Sequence, residues 1–164
     1  MNYVSKNKIT FLATCVLIVM FMLFNFVHAS EVSFGNCGEG ISWILDASGV
    51  LEISGSGSMS DYAYDSDSPW KDNTDIVEVV IENGVTNLGS YAFKGCSNLT
   101  SVTVSESVTT IGKYAFSGCR SLSRISIPAN VTSIGDYAFY GCNELTSIEI
   151  PDRVTSIGSS AFEG

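Results

Sequence analysis

Histidine, cysteine and acidic side chains carry most protein chemistry, and this chain uses them sparingly. Its single histidine, His28, lies in an apolar N-terminal segment expected to be removed on export. The remaining chain therefore has no Ser-His-Asp or Cys-His nucleophile and no histidine metal ligand. No Cys-x-x-Cys pair occurs, and Cys96, Cys119 and Cys142 recur at one constant spacing. Neighbouring coils of a repeat would bring such thiols within disulfide reach, but three equivalent thiols cannot all pair with one another, so free, buried fillers are expected. Gly55-Ser56-Gly57 lacks the third glycine and following helix of a dinucleotide loop. Asp61, Asp65, Asp67, Asp72 and Asp75 offer carboxylate oxygens for Ca²⁺. Their spacing is not that of an EF-hand, and nothing selects two of them as a glycosidase pair, so a solvated acidic loop is expected. Asn98-Leu99-Thr100 and Asn130-Val131-Thr132 match the glycosylation pattern, which matters only in a eukaryotic secretory pathway. The expectation is a protein that is not an enzyme, with no cofactor and no metal.

The elements that would position these residues come from a repeat. YAFKGCSNLTSVTVSESVTTIGK returns as YAFSGCRSLSRISIPANVTSIGD and as YAFYGCNELTSIEIPDRVTSIGS. Phe93, Phe116, Phe139 and Phe162 share that spacing, as do Gly89, Gly112, Gly135 and Gly158. A fixed period in this range marks a solenoid, whose coils bury apolar faces against each other and expose one continuous surface. A degenerate first coil starts at Trp70, which takes the phenylalanine slot. Within a coil, Leu99-x-x-Val102-x-Val104 and its copies alternate as a half-buried strand, ended by Pro128 and Pro151 in two coils. Val131-Thr132-x-Ile134-Gly135 predicts a short extended piece, with the glycine permitting a sharp corner. Tyr91-Ala92-Phe93-x-Gly95-Cys96 predicts one helical or 3₁₀ turn closed by glycine, with the phenylalanine plugging the core. Before the array, Ile41 to Leu45 and Val50 to Ser54 flank Asp46-Ala47-Ser48-Gly49 as a β-hairpin, expected to cover the first coil through Trp43.

With positions 102 and 104 inward, 101 and 103 point outward. Two columns follow: Glu78, Ser101, Arg124, Ser147 and Val80, Thr103, Ser126, Glu149. They vary from coil to coil while the inward positions do not, which suits a mosaic recognition surface and equally suits plain solvent positions. Four short strands give a face of roughly 250 Å², against about 800 Å² per partner in a standard interface. Edges, the acidic region, further coils or other copies would have to contribute.

Residues 1–29 read as a signal peptide: Lys6 and Lys8, an apolar run from Ile9 to Val27, and Val27-His28-Ala29 as the cleavage site. An uncleaved membrane anchor and a lipid-bearing Cys15 are the alternatives; Thr14 before the cysteine and the long apolar run after it disfavour the latter. Export leaves six basic against seventeen acidic residues, a net −11, which disfavours nucleic acid and anionic membranes. Residues 31–78 hold ten acids and one base, Lys71. Three segments are expected: the signal peptide (1–29), an N-terminal β cap and acidic loop (30–69), and a repeat array (70–164).

Ala-Phe-x-Gly-Cys-x-x-Leu-x-x-Ile-x-Ile-Pro-x-x-Val-Thr-x-Ile-Gly, nearly complete over 115–135 and 138–158, resembles the BspA-like leucine-rich repeat family, also called the Treponema pallidum type. The stretch from Cys37-Gly38 to Pro69-Trp70 looks like the lead-in to such repeats. The resemblance implies a right-handed leucine-rich-repeat-like β/α superhelix of 23-residue coils, mainly short parallel strands, with an N-terminal β-hairpin cap. It also implies a secreted or cell-surface adhesion module that binds a protein or glycan. A spacer within a larger surface protein is the alternative, and an acid-dependent glycan hydrolase a distant third. The last coil stops after Phe162 and Gly164, so self-association through the C-terminal end is also expected.

Overall fold

A computed structural model describes residues 32–64 and 68–164; the segment expected to be a signal peptide (1–29), and Asp65 and Asp67, lie outside the described residues. The repeats form a parallel-strand β-solenoid. Each coil opens with a strand, β4 (Glu78–Ile81), β6 (Ser101–Val104) or β8 (Arg124–Ile125), which pairs with its counterpart one coil away. A second ladder joins β5 (Asn87–Leu88), β7 (Thr110–Ile111), β9 (Ser133–Ile134) and β10 (Ser156–Ile157). Between the two ladders sit Leu99, Val102, Ile111, Leu122, Val131 and Ile134, all buried.

The hairpin expected before the array is β2 (Ile41–Leu45) and β3 (Val50–Gly55). Its turn is held by Asp46, whose Oδ1 accepts from the backbone N–H groups of Ser48 (2.8 Å) and Val50 (3.0 Å), while Gly49 takes φ +85°. An additional strand, β1 (Ser33–Gly38), pairs antiparallel with β2. Its alternation is broken by Gly35 and by a register shift between Asn36 and Gly38, which hid it from pattern reading. β3 then pairs in parallel with β4, so hairpin and solenoid share one sheet of order β1-β2-β3-β4-β6-β8. Trp43 meets Trp70 edge-on at 5.4 Å. From Trp70 the rings of Phe93, Phe116, Phe139 and Phe162 stack at 5.1–5.6 Å, one per coil, down the axis of the array.

The corner segment is not a helical turn. Among the described residues no helix occurs. The N–H groups of Ala92, Lys94 and Cys96 donate locally to Gly89, Tyr91 and Phe93 carbonyls. Those of Tyr91, Phe93 and Gly95 donate outward to Lys113, Ala115 and Ser117 of the next coil. An α-helix or 3₁₀-helix needs consecutive N–H groups to bond back to the i−4 or i−3 carbonyl; here only alternate ones do, each to i−3, so the corner is a series of separate turns. The alternation requires left-handed backbone, with φ +79° at Gly95 and φ +58°, +55° and +55° at Tyr91, Tyr114 and Tyr137.

Two further expectations are corrected. Gly112 and Gly135 are not corner glycines with unusual φ. A Cβ on either would come within 2.6 Å of a backbone nitrogen in the preceding coil, so glycine is needed for close approach. The first ladder also fades along the array: β4 and β6 have four residues, β8 has two, and Leu145 to Ile150 forms no strand. Glu82 N–H donates to Ile53 (2.9 Å) and Ser105 N–H to Ile81 (3.1 Å), each closing the ladder at the strand end. The equivalent residues in the next two coils are Pro128 and Pro151, which have no N–H to give. Ile150, expected inward, is 39% exposed.

Candidate functional site

The outward columns lie on the six-stranded sheet. Strand pairing sets Glu78 beside Ser101 and Ser101 beside Arg124, and sets Val80 beside Thr103. Directly paired residues share a face. Arg124, Thr103, Ser126 and Ser147 are exposed, whereas Glu78, Val80 and Ser101 are half-buried. A shallow concavity of about 610 Å³ sits on this face, and Glu78, Ser101, Thr103, Arg124, Ser126 and Ser147 line it. Val80 borders it through Thr103, while Glu149, exposed on the segment that forms no strand, stands apart. The concavity lies where the ladder thins toward β8. Its lining offers three kinds of group: a carboxylate at one end, hydroxyls through the middle and a guanidinium toward the other end. Such a lining can hold polar or charged groups of a partner by hydrogen bonds; it has no nucleophile–base pair.

The same pairing carries both columns onto the hairpin. Val50 lies beside Glu78, and Glu52 beside Val80. Sequence reasoning missed this extension because a hairpin and a repeat share no period; only the parallel β3–β4 pairing joins them. Six strands at the usual spacing enlarge the face to roughly 380 Å².

The other candidate residues have structural duties. Gly57 N–H donates to the Gly84 carbonyl (3.0 Å) and Ser56 N–H to Gly40 (3.1 Å), so this loop spends its amides on neighbouring segments rather than on a phosphate. Asn98 and Asn130 direct their amide nitrogens to the carbonyls of Thr74 (2.9 Å) and Glu106 (2.8 Å). Asp61 Oδ1 accepts from Ser90 N–H at 2.7 Å. Among the described residues no three acidic, cysteine or histidine side chains converge where a metal would sit. Cys37, Cys96, Cys119 and Cys142 are free and buried. The last three donate to the carbonyls of Trp70, Phe93 and Phe116 at 3.4, 3.1 and 3.2 Å, each one coil back. Burial pushes the thiols of Cys37, Cys96 and Cys142 up to about 12, which leaves them protonated and unreactive at neutral pH.

A second groove of about 440 Å³ runs along the other ladder, lined by Asn87, Thr110, Ser133 and Ser156 with Lys113 and Asp136 at its rim. Beyond it Tyr91, Tyr114 and Tyr137 stack at 4.9 and 4.7 Å.

Residues 67–164 match the model of the BspA type leucine-rich repeat region, in 6 copies. The chain belongs to the BspA-type leucine-rich repeat family. Among solved structures, this BspA-type chain is similar to a leucine-rich repeat protein from Eubacterium ventriosum, with 31% identity and a TM-score of 0.63. The match covers 78% of this chain and 40% of that one. A leucine-rich repeat protein from Bacteroides ovatus is 34% identical with a TM-score of 0.56, over 65% of this chain and 28% of that one. The leucine-rich repeat protein of T. pallidum shares the fold at 21% identity and a TM-score of 0.59, over 85% of this chain and 67% of its own. The chain thus spans less than half the length of the first two of these leucine-rich repeat proteins. No curated protein matches it significantly.

Proposed function

We propose that this protein is an exported, non-enzymatic recognition module of the cell surface, in which the outward columns bind a protein or glycan partner. Residues 1–29 act as its signal peptide and 30–69 as its cap. One observation carries the reading. The inward positions of each strand repeat as Val or Ile, whereas the outward positions vary between coils, with only serine recurring at 101 and 147, and six of the eight line one concavity. Packing explains the first set and does not ask for the second. The absence of histidine after His28 supports a binding rather than a catalytic role.

The test presents the full chain to panels of immobilised extracellular proteins and glycans. A ligand should be found whose capture drops by roughly tenfold or more on Arg124→Glu, with the melting temperature unchanged. A ligand held equally well by Arg124→Glu, Thr103→Lys and Ser126→Lys variants would place binding elsewhere.

A further inference from the structure

The outward face becomes chemically distinctive where it crosses onto the hairpin. One row runs over five strands by direct pairing: Phe34 with Ile44, Ile44 with Glu52, Glu52 with Val80, and Val80 with Thr103. The row beneath it in register, Gly35, Trp43 and Ile53, faces the core. Phe34 is therefore turned out, and it is 74% exposed, more than any other large apolar side chain among the described residues. Ile44 is half-buried beside it, and Val80, also half-buried, lies two strands farther along the row across Glu52. An exposed aromatic ring beside a second apolar side chain offers a partner an anchor point.

Its charged neighbours are of one sign. On β1 to β4 the only charged residues are Glu52 and Glu78, diagonal neighbours on the outward side, and these four strands contain no lysine or arginine. The first base on the face is Arg124, two strands farther on. The face thus runs from apolar and acidic at the hairpin, through hydroxyls, to cationic at β8.

We infer that the hairpin end of this face anchors the interface, and that its occupant is a polypeptide segment presenting an apolar side chain beside a lysine or arginine. The inference rests on the proposed recognition role and narrows its partner from protein or glycan to protein. Phe34 and Ile44 supply a seat for the apolar group, the kind of aromatic anchor that dominates interface energetics. Glu52 and Glu78 supply charge-assisted acceptors for the basic group. Charge also argues against a second copy of this chain as occupant. On β1 to β4 the face carries Glu52 and Glu78 and no base, and two such faces would repel.

The experiment measures binding of the full chain to arrays of short synthetic peptides with a central Phe or Leu flanked by Lys or Arg. Matched peptides carry Glu flanks, or Ser at the centre, and a glycan array is run alongside. The basic, apolar peptides should bind best and should weaken as salt is added. Phe34→Ser, and separately Glu52→Lys with Glu78→Lys, should lower that binding by roughly tenfold or more without shifting the melt. Failure of the basic, apolar set to bind would overturn the inference, as would equal binding of acid-flanked peptides. So would glycan capture that Phe34→Ser abolishes, which would assign the row to a sugar, or a dimer in light scattering that Phe34→Ser dissociates, which would assign it to a second copy. Arg124→Glu separates the two levels. Binding lost with Arg124→Glu but kept with Phe34→Ser and the double lysine variant would retain the recognition role and sink only the hairpin anchor. Binding indifferent to all of them would sink both.

Discussion

One aromatic ring per coil anchors the array. Phe116 is fully buried between Phe93 and Phe139, at 5.1 and 5.3 Å. Removing it leaves a cavity that the stacked neighbours cannot close, so Phe116→Ala should cost about 3–5 kcal/mol. Arg124→Ala, on the exposed face, should cost under about 0.5 kcal/mol. Chemical denaturation of the two variants checks this, and equal losses would invert the assignment of faces. The cysteine beside each ring was legible as a buried filler from its spacing. Its hydrogen bond was not, because the accepting carbonyl lies 26 residues back, across a coil boundary. The bond explains why the slot takes a thiol rather than alanine. The pKa shift has a consequence for pH. In the unfolded chain these thiols ionise near 9, whereas in the fold Cys96 and Cys142 hold their protons to about 12 because burial disfavours the thiolate. Between those values the unfolded state binds fewer protons, so stability falls as pH rises. Unfolding midpoints should drop between about pH 9 and about pH 12. A Cys96→Ser, Cys119→Ser, Cys142→Ser variant should drop less, since serine still donates to the same carbonyls but does not ionise there. An unchanged slope in the variant would show that the alkaline loss comes from other groups.

At the level of the element, periodicity located the strands of the first coils, but Leu145 to Ile150 forms none and the corner was misread. Tyr-Ala-Phe-x-Gly-Cys is short and closed by glycine, like a helix end, and local sequence cannot show that alternate amides leave for the next coil. The same limit hid the two glycine roles. Gly118 has φ +76° and only ordinary contacts at 3.8 Å where a Cβ would sit, whereas Gly135 has ordinary φ and the Lys113 backbone nitrogen 2.6 Å from that position. Gly118→Ala should therefore cost about 1 kcal/mol for the left-handed backbone. Gly135→Ala should cost more, roughly 2–3 kcal/mol, because two coils must part. Thermal melts that rank the pair the other way would contradict the close-approach account. The prolines were legible as strand ends, but their effect on the ladder beyond them was not. Pro128→Ser restores an N–H where Ser105 has one, aimed at the Val104 carbonyl. Its amide should gain protection in hydrogen exchange, and a rapidly exchanging amide would show that the ladder fades for another reason.

At the level of the whole molecule, the 23-residue period was enough to establish a solenoid, and the residues of the repeat carried the resemblance to the BspA-type leucine-rich repeat family. It was not enough to show the extent of the exposed face. The hairpin joins the sheet through β3 and β4, and neither strand announces its partner in a local pattern. The columns were legible because inward positions repeat and outward positions vary, yet their meeting place, the concavity at Glu78, Ser101 and Arg124, depends on where the ladder thins. The central claim is that packing and recognition are divided between the two sides of one sheet. A mutational scan of the full chain with two readouts tests it most directly: protease resistance for folding, and capture of a ligand identified as above. Substitutions at Val79, Ile81 and Val102 should lower both readouts, while substitutions at Val80, Thr103 and Arg124 should lower capture alone. Capture as tolerant at those three outward positions as at Thr110 and Ser133 on the opposite ladder would contradict the account.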